Sequence, residues 1–542
     1  MINLISCFPE GFTPQPHQTD ILDKLSNALN GDKKFIILQA PTGSGKTFIA
    51  KTLGNAAKPV SPKFKELVNN YSAFKTDGEG GFVKSEEILN EPAGGSFALT
   101  ITKTLQDQYN FTFKDADVLK GKSNYVCELD KTFSVETAPC TLVHRLRDDC
   151  WGTNTCTYYN ARNAALTSQF SVLNYKMFLS LPDHVKHRDI IICDEASELE
   201  EEFVKNFTCE LQYDRLKFNG VECKPLATDI NENVRIWLSE VNDKVTSRVT
   251  SLAESFKKDP RKASIVDRNR LQYLKNVAGS IDLVLSHWSK CEFVTEIDAK
   301  RAVLTPLHIS ALTHHVFDYA DKVVLMSATI IDPVSFARTL GIKEYEYIEI
   351  ESTFDPKKSP IYVCTKFPVN YKNKASMMPK IAALAKELCD QHKDDKGIIH
   401  THTLENVEIL KRTLGLSPRF LYRDSESNNE EILERHFEDI DPTVLVSPSL
   451  AFGTDLKDHL ARFQIIVKLM YPSLGSKRIK RLCELDRDWY INKMLNSLVQ
   501  ACGRATRSKD DHSKTYILDG SIKQILDQHK KKLPKAFIDR FV

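Results

Sequence analysis

At 542 residues the chain is long enough for three or four structural units, each able to bury its own core. A hydrophobic content of 42% and a charged content of 27% are ordinary for a globular protein, and no apolar run is long enough to span a bilayer. The net charge of +2 gives no global signature of nucleic-acid binding, although acidic surface elsewhere can cancel a local basic groove in the sum.

Met1 to Glu10 lacks a basic stretch followed by a long apolar one. The expected compartment is therefore the cytoplasm, and the thirteen cysteines read as thiols or metal ligands rather than disulfides. Phe12 to Gln18 leads into a helical pattern carried by Ile21, Leu22, Leu25 and Leu29. Gln18 can read an adenine edge through its amide if a nucleotide site follows. Such a site does follow. Phe35 to Gln39 is an apolar run of strand length, and Ala40-Pro41-Thr42-Gly43-Ser44-Gly45-Lys46-Thr47 closes it before a helical pattern begins. That is the layout of a phosphate-binding loop, with Ala40 in place of the usual first glycine. Small residues let backbone N–H groups close around phosphate. Lys46 is then expected on the β- and γ-phosphates and Thr47 on Mg²⁺.

Lys58 to Ser96 reads as an insertion, partly helical through Phe64, Leu67 and Val68, with no assignable chemistry. Phe97 to Thr102 reads as a strand running into Lys103-Thr104-Leu105-Gln106. Hydroxyls and a lysine there suit a nucleic-acid backbone, and Thr102 or Thr104 also suits a helix N-cap; the two roles are compatible. Cys127, Cys140, Cys150 and Cys156 then fall within about thirty residues, where the chain average predicts fewer than one. Four converging thiolates make a metal or iron–sulfur site. Intervals of thirteen, ten and six in residue number lack paired C-x-x-C knuckles, which favours a cluster over zinc without settling the choice. Tyr158, Tyr159 and Arg162 follow; they either stack bases and hold phosphate or pack the cysteine domain.

Asp189 to Cys193 is a second buried strand, and it delivers Asp194 and Glu195 at its C-terminal end, where ligands gather in parallel α/β sheets. Asp194 is expected at Mg²⁺ and Glu195 at the attacking water. Helical spacing dominates from Val204 to Leu304, and Lys322 to Met326 returns to strand before Ser327-Ala328-Thr329. A second α/β unit starts near Glu351, with strands at Gly397–His400, Thr443–Ser447 and Gln464–Leu469. A helix expected from Trp489 to Ala505 carries Gln500, Gly503, Arg504 and Arg507. The spacing of Gln500, Arg504 and Arg507 puts them on one face, able to reach a γ-phosphate from a second domain. The basic runs Lys477 to Arg481 and Lys530 to Lys532 read as solvated faces.

Together these motifs resemble a superfamily 2 helicase of the XPD/DinG group, in order and over nearly the whole chain: Gln18; Ala40 to Thr47; Thr102 to Gln106; the four cysteines; Asp194-Glu195-Ala196-Ser197; Ser327-Ala328-Thr329; Gly453-Thr454-Asp455; and Gln500-x-x-Gly503-Arg504-x-x-Arg507. The resemblance implies an α/β fold of two RecA-like parallel-sheet motor domains. A [4Fe–4S] insert and an all-helical arch-type insert both lie in the first motor. The expected boundaries are 1–115, 161–203 and 305–350 for motor 1, with the insertion at 58–96, then 116–160 for the cysteine domain, 204–304 for the arch and 351–542 for motor 2.

By the same resemblance Lys46, Asp194, Glu195, Gln500, Arg504 and Arg507 would be catalytic, and Gln18, Thr42, Gly43, Ser44, Gly45, Lys46, Thr47 and Asp455 would bind nucleotide. Cys127, Cys140, Cys150 and Cys156 would hold the cluster, Thr47 and Asp194 would hold Mg²⁺, and Thr102, Lys103, Thr104, Tyr158 and Arg162 would contact nucleic acid. The implied cofactors are ATP, Mg²⁺ and [4Fe–4S]. The implied activity is ATP-driven 5′-to-3′ movement on single-stranded DNA, with forked or flapped DNA as partner and a monomeric protein in a bacterial or phage-infected cell. An ATP-gated clamp or remodeller would use the same motifs, whereas a small-molecule kinase has no use for the second α/β unit. The sequence departs from the family at Ser197, where His is more familiar, at Gln15, where Arg is frequent, and in the length of 58–96. Met1 to Phe35 is expected to leave no room for an N-terminal exonuclease.

Overall fold

The computed structural model describes residues 2–41, 43–69, 93–141, 150, 155–226, 231–257, 263–352, 354–370, 372–423, 429–448, 456, 458–505 and 511–542. The first five strands are β1 (Phe35–Gln39), β2 (Ser96–Thr100), β3 (Asp117–Leu119), β4 (Phe170–Asn174) and β5 (Arg188–Cys193). A smaller sheet follows, made of β6 (Cys209–Gln212), β7 (Phe293–Ile297) and β8 (Arg301–Pro306), before the chain returns through β9 (Ala320–Ser327) and β10 (Tyr345–Glu349). The first large sheet is parallel throughout, in the order β10-β1-β9-β5-β2-β4-β3.

Both faces of this sheet are covered, which explains why its central strands are continuous apolar runs. Ile36 and Leu38 enter one core while Ile37 enters the other, and Ile190 and Ile192 divide from Ile191 in the same way. Strand β9 lies between β1 and β5. The end of β9 therefore falls between the two turns that carry the phosphate-loop residues and the paired carboxylates.

The second large sheet, also parallel, is built from β11 (Ile361–Val363), β12 (Gly397–His400), β13 (Phe420–Tyr422), β14 (Val444–Ser447), β15 (Phe463–Ile466) and β16 (Lys514–Ile517) in the order β11-β16-β15-β12-β14-β13. Val444 and Val446 face one core and Leu445 another. Two parallel sheets, each wrapped by helices, give the α/β architecture expected of two motor domains.

Two features of the inserts differ from expectation. The arch-type segment is not all-helical. Its antiparallel pair of long helices, Asn231–Lys257 and Ile265–His287, is joined by the antiparallel sheet β6-β8-β7. The reason is visible in β6, where buried Cys209 and Leu211 alternate with exposed Glu210 and Gln212, a period of two amid helical spacing. Ser264 begins the second helix with a capping box, its Oγ accepting from the Asp267 N–H and its own N–H donating to the Asp267 carboxylate. At the other insert, β3 falls inside the segment expected to open the cysteine domain, yet it is the edge strand of the motor-1 sheet, paired with β4. Of the 58–96 insertion, the helix Pro62–Asn69 is described, with Phe64 and Val68 buried as the spacing predicts.

Candidate active site between the two motors

Strand β1 ends by donating the Ala40 N–H to the Ser327 carbonyl at the end of β9 (2.9 Å). Gly43 and Gly45 both take positive φ, 83° and 80°, which only glycine adopts without strain. The helix Lys46–Ala56 starts directly after them, so its N-terminus faces the loop. Ser44 is buried and its hydroxyl is left without a partner, so the loop carries a spare polar group of the kind a phosphate oxygen engages. Lys46 Nζ lies 3.5 Å from the Ala40 carbonyl and 4.0 Å from the Glu195 carboxylate. Lys46 and Glu195, 149 positions apart in sequence, thus meet. Thr47 is the second residue of the helix, and Thr42 lies outside the described residues.

Gln18 packs against the phosphate loop. Its Oε1 accepts the Gln15 N–H (2.9 Å), closing a capping box on the helix Pro16–Asn30, and its Nε2 donates to the Ser44 carbonyl (3.4 Å). A Cβ at Gly45 would come within 2.1 Å of that amide nitrogen. In this structure Gln18 braces the phosphate loop from behind, with its amide committed to the backbone.

Asp194 and Glu195 leave β5 at the neighbouring turn. Asp194 is buried and is pushed up to about 6, first by burial and then by the Glu195 charge, with Lys46 and a hydrogen bond from Tyr109 acting against them. Tyr109 Oη donates to Asp194 Oδ2 (3.0 Å), and the Glu195 N–H donates to Oδ1 (3.0 Å). Both carboxylate oxygens are thereby oriented. Glu195 itself sits at φ 51°, a left-handed conformation that is strained for a residue with a side chain. The thiol beside this turn, Cys193, is pushed up to about 12 by burial and stays protonated.

The turn after Glu195 reaches the second motor. Ser327 Oγ donates to Ser197 Oγ (3.0 Å), and Gln500 Nε2 of motor 2 donates to the same oxygen (3.1 Å). One hydroxyl therefore joins the carboxylate turn, the end of β9 and the second motor. On the other side of β9, Gln39 Oε1 accepts the Ile330 N–H (2.6 Å) while its amide donates to Glu349 (2.9 Å).

A buried ionic cluster clamps the motors beside this junction. Glu200 accepts from Arg478 (2.7 Å) and from Trp489 Nε1 (3.0 Å), and Lys493 Nζ lies 2.9 Å from its second oxygen. Burial pushes the Glu200 carboxyl up, but Lys493 and Arg478 outweigh it and hold the group down to about 2. Arg478 also donates to the Pro306 carbonyl (2.8 Å). Arg478 belongs to the run Lys477 to Arg481, which was expected to be a solvated face; it is in fact 2% exposed. A cavity of about 70 Å³ lies between Ser197, Thr329, Trp489 and Lys493.

The helix bearing Gln500 runs from Arg487 to Cys502 rather than to Ala505. Gly503 ends it, donating to the Val499 and Gln500 carbonyls, so Arg504 lies in the turn that follows. Arg504 faces His400, whose protonation burial and the Arg504 charge both disfavour, holding it at about 4. Arg507 and Asp455 lie outside the described residues.

In the cysteine domain, Cys127, Cys140, Cys150 and Cys156 are all buried. Burial, and then the charges of the other three, push Cys140 up to about 12, so all four sulfurs share one neighbourhood. No three of them lie within 4.8 Å of one another, among the described residues. Four buried thiols in one neighbourhood are a donor set that suits zinc or an iron–sulfur cluster. Tyr158 is 3% exposed and packs edge-on to Tyr125 and Tyr159, the packing role rather than base stacking. Arg162, also buried, lies over the Tyr159 ring. Thr102 is a helix N-cap, its hydroxyl accepting the Leu105 N–H, whereas Lys103 and Thr104 are exposed.

Tyr109, Glu200 and Lys493 have no place in the sequence expectations, and Arg478 enters them only as part of a solvated run. Their contacts join positions 85 to 293 residues apart, so no local pattern announces them. Among the described residues no helix is long and apolar enough to cross a membrane.

A family model described as helicase C-terminal domain matches residues 389–540, and one described as type III restriction enzyme, res subunit, matches residues 11–70. No curated protein matches the chain in sequence. An XPD helicase structure aligns over 97% of this chain and 99% of its own, with a TM-score of 0.64 and 17% identity. An apo XPD structure gives 0.58 and 16% over 96% of this chain and 98% of its own. S. tokodaii Xpd4 gives 0.57 and 16% over 95% and 97%. The likeness in fold thus spans almost the whole of both chains. Fold and family models agree with the motifs: the chain is similar to the XPD/DinG-like superfamily 2 helicases.

Proposed function

We propose that this chain is an ATP-dependent DNA helicase or translocase that moves 5′ to 3′ on single-stranded DNA and separates strands at forks or flaps. One observation carries the reading: Gln500 of the second motor donates to Ser197, two residues past Glu195, while Ser327 donates to the same oxygen. A simple nucleotide-binding domain has no need to hold its carboxylate turn from a second domain. A motor does, because closure and reopening must be felt at the point of hydrolysis.

In this mechanism Lys46 and the backbone of Gly43 to Lys46 bind the β- and γ-phosphates. Thr47 and Asp194 would hold Mg²⁺, which supplies charge neutralisation at the phosphates. Glu195 orients and polarises the attacking water from its strained turn. Arg504 and Arg507 act from motor 2 on the γ-phosphate, and Asp455 contacts the nucleotide from the same side. Loss of the γ-phosphate loosens motor 2, and Gln500 passes that change to Ser197 and Ser327. Lys103 and Thr104, exposed at the start of their helix, grip the DNA backbone in motor 1. The residues Cys127, Cys140, Cys150 and Cys156 would hold a [4Fe–4S] cluster as a rigid strut for the domain that meets the duplex.

The test is ATP hydrolysis with and without single-stranded DNA, in the wild type and in Glu195→Gln. The reading expects stimulation by DNA in the wild type and loss of hydrolysis in the variant with nucleotide binding intact. Full DNA-stimulated hydrolysis by Glu195→Gln would overturn it.

A further inference from the structure

Away from the motor cleft, three histidines converge where the helical insert returns to the first motor. His287 is the last residue of the helix Ile265–His287, and His314 and His315 open the short helix His314–Phe317. One ring nitrogen from each lies within 4.8 Å of the other two. His287 Nδ1 lies 2.8 Å from the Leu283 carbonyl, and His314 Nδ1 lies 2.9 Å from the Ala311 carbonyl. A carbonyl only accepts, so both Nδ1 atoms carry the proton and both Nε2 atoms present a lone pair. His315 Nε2 donates to His287 Nε2 at 2.8 Å, since the His287 proton is on Nδ1, and an ion bound between them would displace the His315 proton.

This arrangement is that of imidazole ligands already oriented by outer hydrogen bonds. In a tetrahedral zinc site, nitrogens at about 2.05 Å from the ion stand about 3.3 Å apart, between the closest approach here and the 4.8 Å limit. The Phe207 ring packs against His287 and His315 and shields that side. Asp183 and Lys186, paired at 2.9 Å, place one negative and one positive charge within reach of His315. Imidazole donors select zinc and its neighbours over hard Mg²⁺ or Ca²⁺.

We propose that His287, His314 and His315 form a second metal site, specific for a divalent transition ion with zinc foremost, with its fourth position open. The site is independent of the four cysteines and of the nucleotide cleft. An ion there would pin the end of the insert's long helix to the segment leading into β9, and so fix the insert relative to the motor.

The test uses the full chain, purified anaerobically with its iron in place and then freed of loosely bound metal with a chelator. Zinc is titrated by calorimetry into wild type and His314→Ala, one of the two half-buried members of the trio. Wild type is expected to take up one more equivalent than the variant, or to bind it at least ~10–100-fold more tightly, the range that even outer-shell changes cost. Iron content and visible absorbance stay equal in both. Taking the difference between the two proteins keeps the result valid even if the cysteines hold zinc. As a second measurement, cobalt(II) added to wild type should give ligand-field bands without a thiolate charge-transfer band. Equal zinc uptake by both proteins, or cobalt bound only through thiolate, would overturn the proposal.

Discussion

Glu200→Gln removes one charge from the buried clamp between the motors. The carboxyl is held at about 2 against an ordinary value of 4.5, and that gap corresponds to about 3 kcal/mol of stabilisation. Breaking a buried ion pair by removing one partner falls in the same range, about 3–5 kcal/mol. Glutamine keeps an acceptor for Arg478 or Trp489 but turns an amide donor toward a second cation, and Lys493 loses its 2.9 Å partner. Docking of the motors should weaken about 10²-fold. The assay is urea titration followed by tryptophan fluorescence, with Trp489→Phe identifying the signal from the interface. Because the chain holds several cores, only the transition reported by Trp489 is read. A double-mutant cycle with Lys493→Met should give a coupling above about 1 kcal/mol. The folded carboxyl is depressed, so its contribution is complete above pH 4.5 and disappears as pH falls toward 2. An interface transition unmoved by Glu200→Gln, or equally sensitive to salt as a surface pair, would refute this account of the clamp.

Tyr109→Phe removes a hydrogen bond that favours ionised Asp194, so the carboxyl should rise above about 6 and the acid limb of the ATPase pH profile should move to higher pH by about one unit. An unchanged limb would mean that Asp194 does not set it. Ser197→Ala cuts the hydroxyl shared by Ser327 and Gln500; hydrolysis without DNA should persist while stimulation by DNA falls, read by steady-state ATPase with and without a single strand. Cys140→Ser should remove iron and visible absorbance, measured by metal analysis and spectroscopy, while nucleotide binding is retained. Gln18→Ala should loosen the phosphate loop at the Ser44 carbonyl and raise KM for GTP and ATP alike, since its amide serves the backbone; selective loss of ATP would restore the adenine-reading role.

The motor strands were legible because a parallel strand covered on both faces carries a continuous apolar run, as at residues 35–38 and 190–193. Three-residue strands such as Asp117–Leu119 and Ile361–Val363 carry too short a pattern to separate from loop. The site divides along similar lines. Lys46, Asp194 and Glu195 sit at turns whose local chemistry marks them. Tyr109 and Glu200 become functional only through partners brought in by the fold. The spacing of Gln500 and Arg504 assumed a helix that Gly503 ends, and sequence intervals alone do not register that stop. Arg478 looked like one more surface cation because its acid lies 278 residues away.

The central claim is that hydrolysis at this junction drives directional movement along DNA. Strand displacement on duplexes with a 5′ or a 3′ single-stranded tail, in DNA and in matched RNA, tests it most directly. The account predicts ATP-dependent displacement from 5′-tailed DNA that vanishes in Glu195→Gln. Robust DNA-stimulated hydrolysis with no displacement from either tail would contradict it and leave an ATP-gated clamp, and displacement from 3′ tails alone would contradict the direction.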